Sequence, residues 1–535
     1  MKKVIIFGGG ISGLTVAHAL KSNAEILVIE KDTLFGGMAK SRQEANGTPS
    51  EHSWRGYAPF YMNTFNLMMQ IPTDNLSGTV YDNLSLPLDF YLLRDSISTY
   101  KPRLNFIDTI IIFYYGFKYL VSDKRRDYYY TIKFVDLIKN KLSRDGYNYL
   151  VQFMIGPGLG MDKKDVSFGH FFKVPTIQTL NQKEYEHTHM HNDKKYIHYA
   201  NDNWHVLNKP TNEAWIDPWV KMLRSQGIKL QLNTKLVKFN KEGNKIISCV
   251  IDDGLSEKTI TADEYILCIN PFDAEEVFYN SGMNKLYLEH KMLNQNSLSK
   301  QVSFRIGINK KIQFPSASIA FAMVESEFDI TWYPQEYFWG DTKLDDKGEI
   351  KSLWSGTILD TETLSKMYNK PADKLNKKEL MNDIINQILR SKSFQKIVYD
   401  NNGFNININD IIYTEIWYEW NYINGELEQS NKKWLNNIYN EKYRPDQVTD
   451  YDNLYIGGAH TKTSINIWSM EGAIESGLLV ASKINNKNDI FRFEDLKFLN
   501  LFKIIDNILY KCKLPNIVDI IIFGIVIVTI IMIRK

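Results

Sequence analysis

Three glycines near the N-terminus have the spacing that a dinucleotide pyrophosphate needs. Gly8-Gly9-Gly10-Ile11-Ser12-Gly13 satisfies G-x-G-x-x-G. In this motif Gly8 makes the tight turn, Gly10 lets the backbone approach the phosphates, and Gly13 lets a helix pack closely on a strand. Ile11 and Ser12 open that helix, whose first N–H groups face the anion. The acid that should meet the ribose is Glu30, whose carboxylate accepts from hydroxyls and repels a 2′-phosphate. The elements that must position these groups are legible around them. Residues 3–7 form the short β-branched, apolar run of a buried parallel strand. Residues 14–20 read as a helix with Leu14, Ala17 and Leu20 on one face, and residues 25–30 as a second strand. Strand, glycine turn, helix, strand and terminal acid in that order predict dinucleotide binding.

FAD and NAD share this fingerprint, so the flanking segments decide. Lys31-Asp32-Thr33-Leu34-Phe35-Gly36-Gly37-Met38 places a glycine pair soon after the acid. Near the other end, Leu454-Tyr455-Ile456-Gly457-Gly458-Ala459-His460 precedes Trp468-Ser469-Met470-Glu471-Gly472-Ala473. Together they resemble the extended FAD signature and closing element of the flavin amine oxidase and carotenoid (phytoene) desaturase superfamily. The resemblance covers residues 1–62, about 205–275 and 450–483. It implies non-covalently bound FAD, with Lys31, Gly36, Gly37, Met38, Gly457 and Gly458 at the cofactor. It also implies that the first turn of a helix, Met470, Glu471 and Ala473, turns its N–H groups to the flavin pyrimidine. A helix dipole there stabilises the anionic reduced ring. Leu236 stands where the family usually sets a valine against the adenine. The segment from Glu51 to Asn63 resembles the one beside the flavin ring, with Arg55 and Gly56 nearest to it. Glu51, His52 and Arg55 are the catalytic candidates; Glu51 and His52 read either as acid/base groups or as structural ones.

Three positions depart from the family. Ser469 replaces an aromatic residue of the amine-binding cage, Ala459 replaces an acid, and no cysteine lies between Cys268 and Cys512 to carry a covalent flavin. No second G-x-G-x-x-G follows a strand, and Gly156-Pro157-Gly158-Leu159-Gly160 reads as a turn in the substrate domain. With no nicotinamide site, the substrate would be oxidised directly, and O2 or a quinone would take the electrons. Two aromatic stretches, residues 107–120 and Trp417-Tyr418-Glu419-Trp420, either line an apolar tunnel or pack in a core. His187, His189 and His191 alternate along one stretch, but their polar neighbours favour an exposed loop, so no metal is expected. Three functions follow: hydride removal from an apolar, isoprenoid or lipid-like substrate, as in desaturases; amine oxidation at a C–N bond with O2 as acceptor and H2O2 release; or a non-catalytic, FAD-stabilised membrane scaffold.

The 535 residues carry 64 basic and 62 acidic side chains, a net charge of +2 that leaves no footprint for nucleic acid. Three scattered cysteines exclude a disulfide framework. The apolar run that opens the chain ends at Gly8, short of the ~7–15 residues of a secretory signal. Residues 514–533 are almost wholly apolar, with Asp519 the one charge, and predict a transmembrane tail anchor, the catalytic part facing the cytosol. Residues 498–510 place apolar side chains at helical spacing just before it. The expected fold is α/β: a Rossmann-like FAD-binding domain from segments 1–62, 205–275 and 450–483. An α+β substrate domain is inserted as 63–204 and 276–449, followed by a linker, 484–513, and the C-terminal transmembrane helix, 514–533.

Overall fold

The computed structural model describes residues 1–533 except 54, 75, 86–88, 95–96, 101–103, 159–160, 162, 177–203, 284–297, 317–318, 325, 435, 488–489 and 493–496. His187, His189 and His191 lie outside the described residues, as do Leu159 and Gly160. The chain forms two compact units: residues 1–101, 202–435 and 443–491, and residues 102–201, 436–442 and 492–535.

The first unit holds a five-stranded, wholly parallel sheet. Its order is Leu454–Ile456, Glu264–Leu267, Lys2–Phe7, Ala24–Ile29, Lys229–Gln231. Val4 to Phe7 are buried without alternation, because both faces of a parallel sheet are covered. The helix Ile11–Leu20 lies against the closing helix Met470–Asn485 so tightly that a Cβ on Gly477 would meet Ser12 O at 2.6 Å. Segments more than 400 residues apart thus build one Rossmann-like layer. An antiparallel trio, Lys235–Glu242, Lys245–Asp252 and Glu257–Ile260, joins it through a shared core of Phe7, Ile29, Phe239, Cys249 and Tyr265.

The same unit carries a second sheet of seven strands. It runs Ile411–Ile416, Val302–Ile308, Ser352–Ile358, Thr331–Pro334, Ile319–Met323, Asp89–Arg94, Ile97–Tyr100. Alternation along its strands makes two different faces. Val302, Phe304, Ile306, Phe321, Trp332 and Trp354 enter an apolar core under the helices Lys377–Leu389 and Lys392–Asn402. Leu380, Ile384 and Ile388 of the first helix are buried there, and an Asn376–Glu379 capping box starts it. Trp417 and Trp420 belong to this core, so of the two expectations for them packing holds and the tunnel does not. The opposite face bears Ser303, Arg305, Thr331, Tyr333, Ser355 and Thr357.

The second unit is helical. Phe106–Leu120 buries Tyr115 and Tyr119 but exposes Ile107, Ile110 and Phe113. Gly156-Pro157-Gly158 ends a wide, π-type helix, Asn148–Gly158, rather than forming a turn. The C-terminal segment corrects the sequence expectation of a membrane anchor. After Pro515 and Asn516 the last helix is Ile517–Ile533, 17 residues. At 1.5 Å per residue it spans about 26 Å, less than the ~30 Å of bilayer hydrocarbon. Among the described residues no helix is long and apolar enough to cross a membrane. Its first turn is taken up by protein: Ile517 and Val518 are buried, and Asp519 accepts from Lys118 Nζ at 2.8 Å. The single-pass transmembrane helix, the membrane partner and the membrane location drawn from it are therefore withdrawn. The preceding helix, Asn500–Lys511, packs Phe502 and Leu509 against Val121, Ile517 and Val518. Its Asp506, fully buried, accepts from Ser122 Oγ (2.7 Å), Arg125 Nε (3.0 Å) and Ile517 N (2.9 Å).

Candidate active site

The glycine turn is shaped for a ligand. A Cβ on Gly8, whose φ is +100°, would meet Cys268 O at 2.2 Å, and one on Gly13 would meet Gly8 O at 1.9 Å. These two are glycines because the protein closes on them. Gly10 differs: its φ is −77°, and a Cβ there would come no nearer than 3.6 Å to any atom, Gly37 Cα. That is an ordinary van der Waals contact, so packing within the protein does not itself demand a glycine here. Gly10 is also the N-cap of its helix and provides no side-chain acceptor, so the N–H groups of Ile11 and Ser12 are left without a cap. Gly36 N donates to Gly9 O at 2.8 Å, which sets the Gly36–Gly37 pair and Met38 against the turn. Glu30 accepts from Gly9 N (2.7 Å) and Asp32 N (2.9 Å); burial pushes its carboxyl up despite these donors. Lys31 pairs with Asp273 at 2.5 Å, and Leu236 packs against the core that holds Phe7 and Ile29.

The closing element converges from the far end of the chain. Gly457 N donates to Leu267 O (2.7 Å) and Gly458 N to Ser476 Oγ (2.9 Å). Ser469 caps the helix Met470–Asn485 by accepting from Gly472 N at 3.1 Å. Ala473 N is bonded to Ser469 O at 3.0 Å and so belongs to the helical ladder. Met470 and Glu471 therefore keep the N–H groups that neither cap nor ladder uses. The Glu471 side chain turns elsewhere. Fully buried, it accepts from Asn63 N (3.0 Å), Asn63 Nδ2 (2.7 Å), Thr64 N (2.9 Å) and Thr64 Oγ1 (2.7 Å). It thereby caps the helix Met62–Met68, and burial pushes its carboxyl up to about 7.

Two of the catalytic candidates, Glu51 and Arg55, form one bonded cluster. Arg55 donates to Met38 O (2.8 Å) and Thr211 Oγ1 (3.0 Å) and pairs with Glu51 at 3.3 Å. Glu51 accepts from Thr211 N (2.8 Å) and Thr211 Oγ1 (2.7 Å). Gly56 follows, half-buried. His52 is buried beside Gln429, 2.6 Å away, with Trp417 edge-on. Burial, then the Arg55 charge, holds its imidazole well below the usual range, so it is neutral. Two further groups escape a sequence reading. Lys433 donates to Gln301 Oε1 at 2.7 Å, and burial pushes its amine down to about 8. Arg305 lies on the polar sheet face, and its Nη2 donates to Glu51 O at 2.6 Å. The available signal for Arg305 was period two: polar Ser303 and Arg305 alternate with apolar Val302, Phe304 and Ile306.

Residues 6–71 match the model of the NAD(P)-binding Rossmann-like domain, and residues 434–485 that of flavin containing amine oxidoreductases. In these two segments the chain is similar to the flavin amine oxidase superfamily. It is an FAD-dependent oxidoreductase, and the cradle, the buried ribose acid and the closing helix fit FAD. No curated protein matches this flavoenzyme. Among solved structures it is similar to an oxidoreductase from Methanosarcina mazei, at 12% identity over 91% of this chain and 100% of that one, TM-score 0.58. It is also similar to a wild-type putrescine oxidase bound to putrescine, at 12% identity over 91% and 99%, TM-score 0.62. A cyclohexylamine oxidase from Brevibacterium oxydans follows at 13% identity over 91% and 99%, TM-score 0.55. At these identities the structures show a common fold.

Proposed function

We propose that this FAD-dependent oxidoreductase is an amine oxidase: it removes a hydride from a carbon bearing nitrogen on a small polar substrate. The observation that carries the reading is the polar sheet face, with the hydroxyls of Ser303, Ser355 and Thr357 buried and unpartnered. An isoprenoid would leave those groups desolvated and unpaired. The saturated Glu51 points the same way. Desaturation needs a base for a second C–H proton, whereas a nitrogen lone pair itself stabilises the cation left by hydride loss. Bound FAD would supply the hydride acceptor and pass the electrons to O2, which leaves as H2O2.

The chain's own residues would bind and orient. The turn at Gly8, Gly10 and Gly13 receives the pyrophosphate, Glu30 the ribose, and the Met470 and Glu471 N–H groups the pyrimidine edge. Leu236 lies on the adenine side. Arg55 fixes Met38 to Glu51 and Thr211, which keeps the Gly56 backbone still beside the ring. Lys433 takes the proton of the incoming alkylammonium. The tests are direct. The purified protein should show a flavin spectrum whose chromophore acid releases, as non-covalent binding requires. Peroxide should form with some member of a panel of amines, and kcat should rise with pH through about 8, a limb that Lys433→Met removes. A colourless protein, or silence across the amines, would overturn the reading.

A further inference from the structure

One edge of the seven-stranded sheet is open. The strand Ile411–Ile416 stands first in its order and, among the described residues, pairs with Val302–Ile308 alone. Just beyond the strand, Trp417 N donates to Ser303 O at 3.1 Å. Bonding alternates along an antiparallel pair, so Glu415 and Tyr413 also turn their N–H and C=O groups to that neighbour. Thr414 and Ile416 turn theirs outward. Among the described residues nothing bonds these outward groups, and Thr414 is exposed. Residues 411–416 include neither a proline nor a lysine, two of the usual means of blunting an edge.

A cleft of about 550 Å³ lies along this edge. On its far side the helix Lys377–Leu389 presents Lys377, Met381 and Ile385, a single stripe of every fourth residue. Thr414 and Ile416 line the strand side, on the face that carries the apolar core. A strand edge beside a helix is the geometry in which an extended peptide adds a strand. Its main chain completes the ladder, and its alternate side chains enter the cleft. Charge marks one end. Lys377 and Lys378 make no ion pair among the described residues, and burial pushes the Lys377 amine down. The acid that acts on Lys377 is Glu415, which is bonded to Ser50 Oγ and the Tyr413 hydroxyl and stands opposite Arg305 in register. That end of the cleft keeps a surplus of positive charge.

We propose that the cleft takes an extended acidic peptide of another protein, laid antiparallel to Ile411–Ile416 as a further strand. Its apolar side chains would meet Met381 and Ile385, and a carboxylate would meet Lys377. A second copy of the chain would bring its own helix beside its edge, ~10–12 Å across, and about 550 Å³ is too little room for that. The probe is a labelled seven-residue peptide with threonine at the even positions, valine at the third and fifth, and aspartate at both ends. Fluorescence anisotropy should give a dissociation constant of about 10–100 µM, as a small interface implies. A twin with asparagine for aspartate should bind about fivefold more weakly. Methyl groups on the valine amides, which antiparallel pairing sets against Thr414 and Ile416, should abolish binding; on the threonine amides they should not. Lys377→Glu, which suits the first turn of a helix, should remove the preference for aspartate. Thr414→Pro, tolerated where an N–H faces off the sheet, should weaken both peptides. Each variant should keep the parent's flavin-to-protein ratio. No binding, equal binding of the two methylated peptides, or an aspartate preference that survives Lys377→Glu overturns the proposal. So does a dimer in sedimentation that Thr414→Pro dissociates, which would give the edge to a second copy.

Discussion

Single residues separate groups that hold the protein together from groups that wait for a ligand. Gly13→Ala sets a Cβ 1.9 Å from Gly8 O, so the helix must lift off its strand; no soluble flavin-loaded protein is expected. Gly10→Ala makes only an ordinary contact with Gly37 Cα, so the melting temperature without FAD should change by less than the equivalent of ~0.5 kcal/mol while flavin is lost on gel filtration. Glu471 makes a second test. Its folded value of about 7 exceeds the ordinary 4.5, so the native state binds more protons between those values. Its contribution is therefore present below the lower value and lost as pH rises to about 7. Glu471→Gln should cost ~1–3 kcal/mol, because an amide brings donors to a site with four donors, and should remove that slope from Tm against pH. The glycines were legible because the turn, its helix, the second strand and the terminal acid all lie within thirty residues. Glu471 was not: its partners, Asn63 and Thr64, are some four hundred residues away, and nothing local marks them.

Helices and strands carried the next share of the reading. The closing helix was legible from its glycine turn, but which N–H groups it offers depends on Ser469, which stands where an aromatic residue was anticipated. Its hydroxyl removes Gly472 N from the ligand side. Ser469→Ala should lower stability by ~1 kcal/mol in chemical denaturation and frees one more N–H for the flavin. The polar sheet face could not be read so directly. Alternation tells that Ser303 and Arg305 share a side, but only the pairing with Ser355 and Thr357, some fifty residues on, makes them one patch. The C-terminal apolar run misled for a related reason. Hydropathy counts residues, whereas a span needs uncommitted ones, and Pro515, Asn516 and Asp519 commit the start of this run to the neighbouring helices.

In the whole molecule, the C-terminal end of the helical unit is held by the buried Asp506 together with the Asp519–Lys118 pair. Asp506→Ala leaves Arg125 and the Ile517 N–H without their acceptor and should destabilise that unit by ~3–5 kcal/mol. Limited proteolysis should then cut within residues 492–533 at protease levels that spare the parent. The parallel sheet has a temporal consequence. Its strand Glu264–Leu267 pairs on one side with Lys2–Phe7 and on the other with Leu454–Ile456. During synthesis at ~5–20 residues per second the second partner arrives roughly 10–40 s after the strand itself. Through that interval a hydrophobic strand edge stands open, and the closing helix that completes the flavin site does not yet exist. The yield of active protein should thus be governed by how fast the ribosome delivers the residues between these two strands and by what shields the waiting edge, more than by the stability of the finished fold.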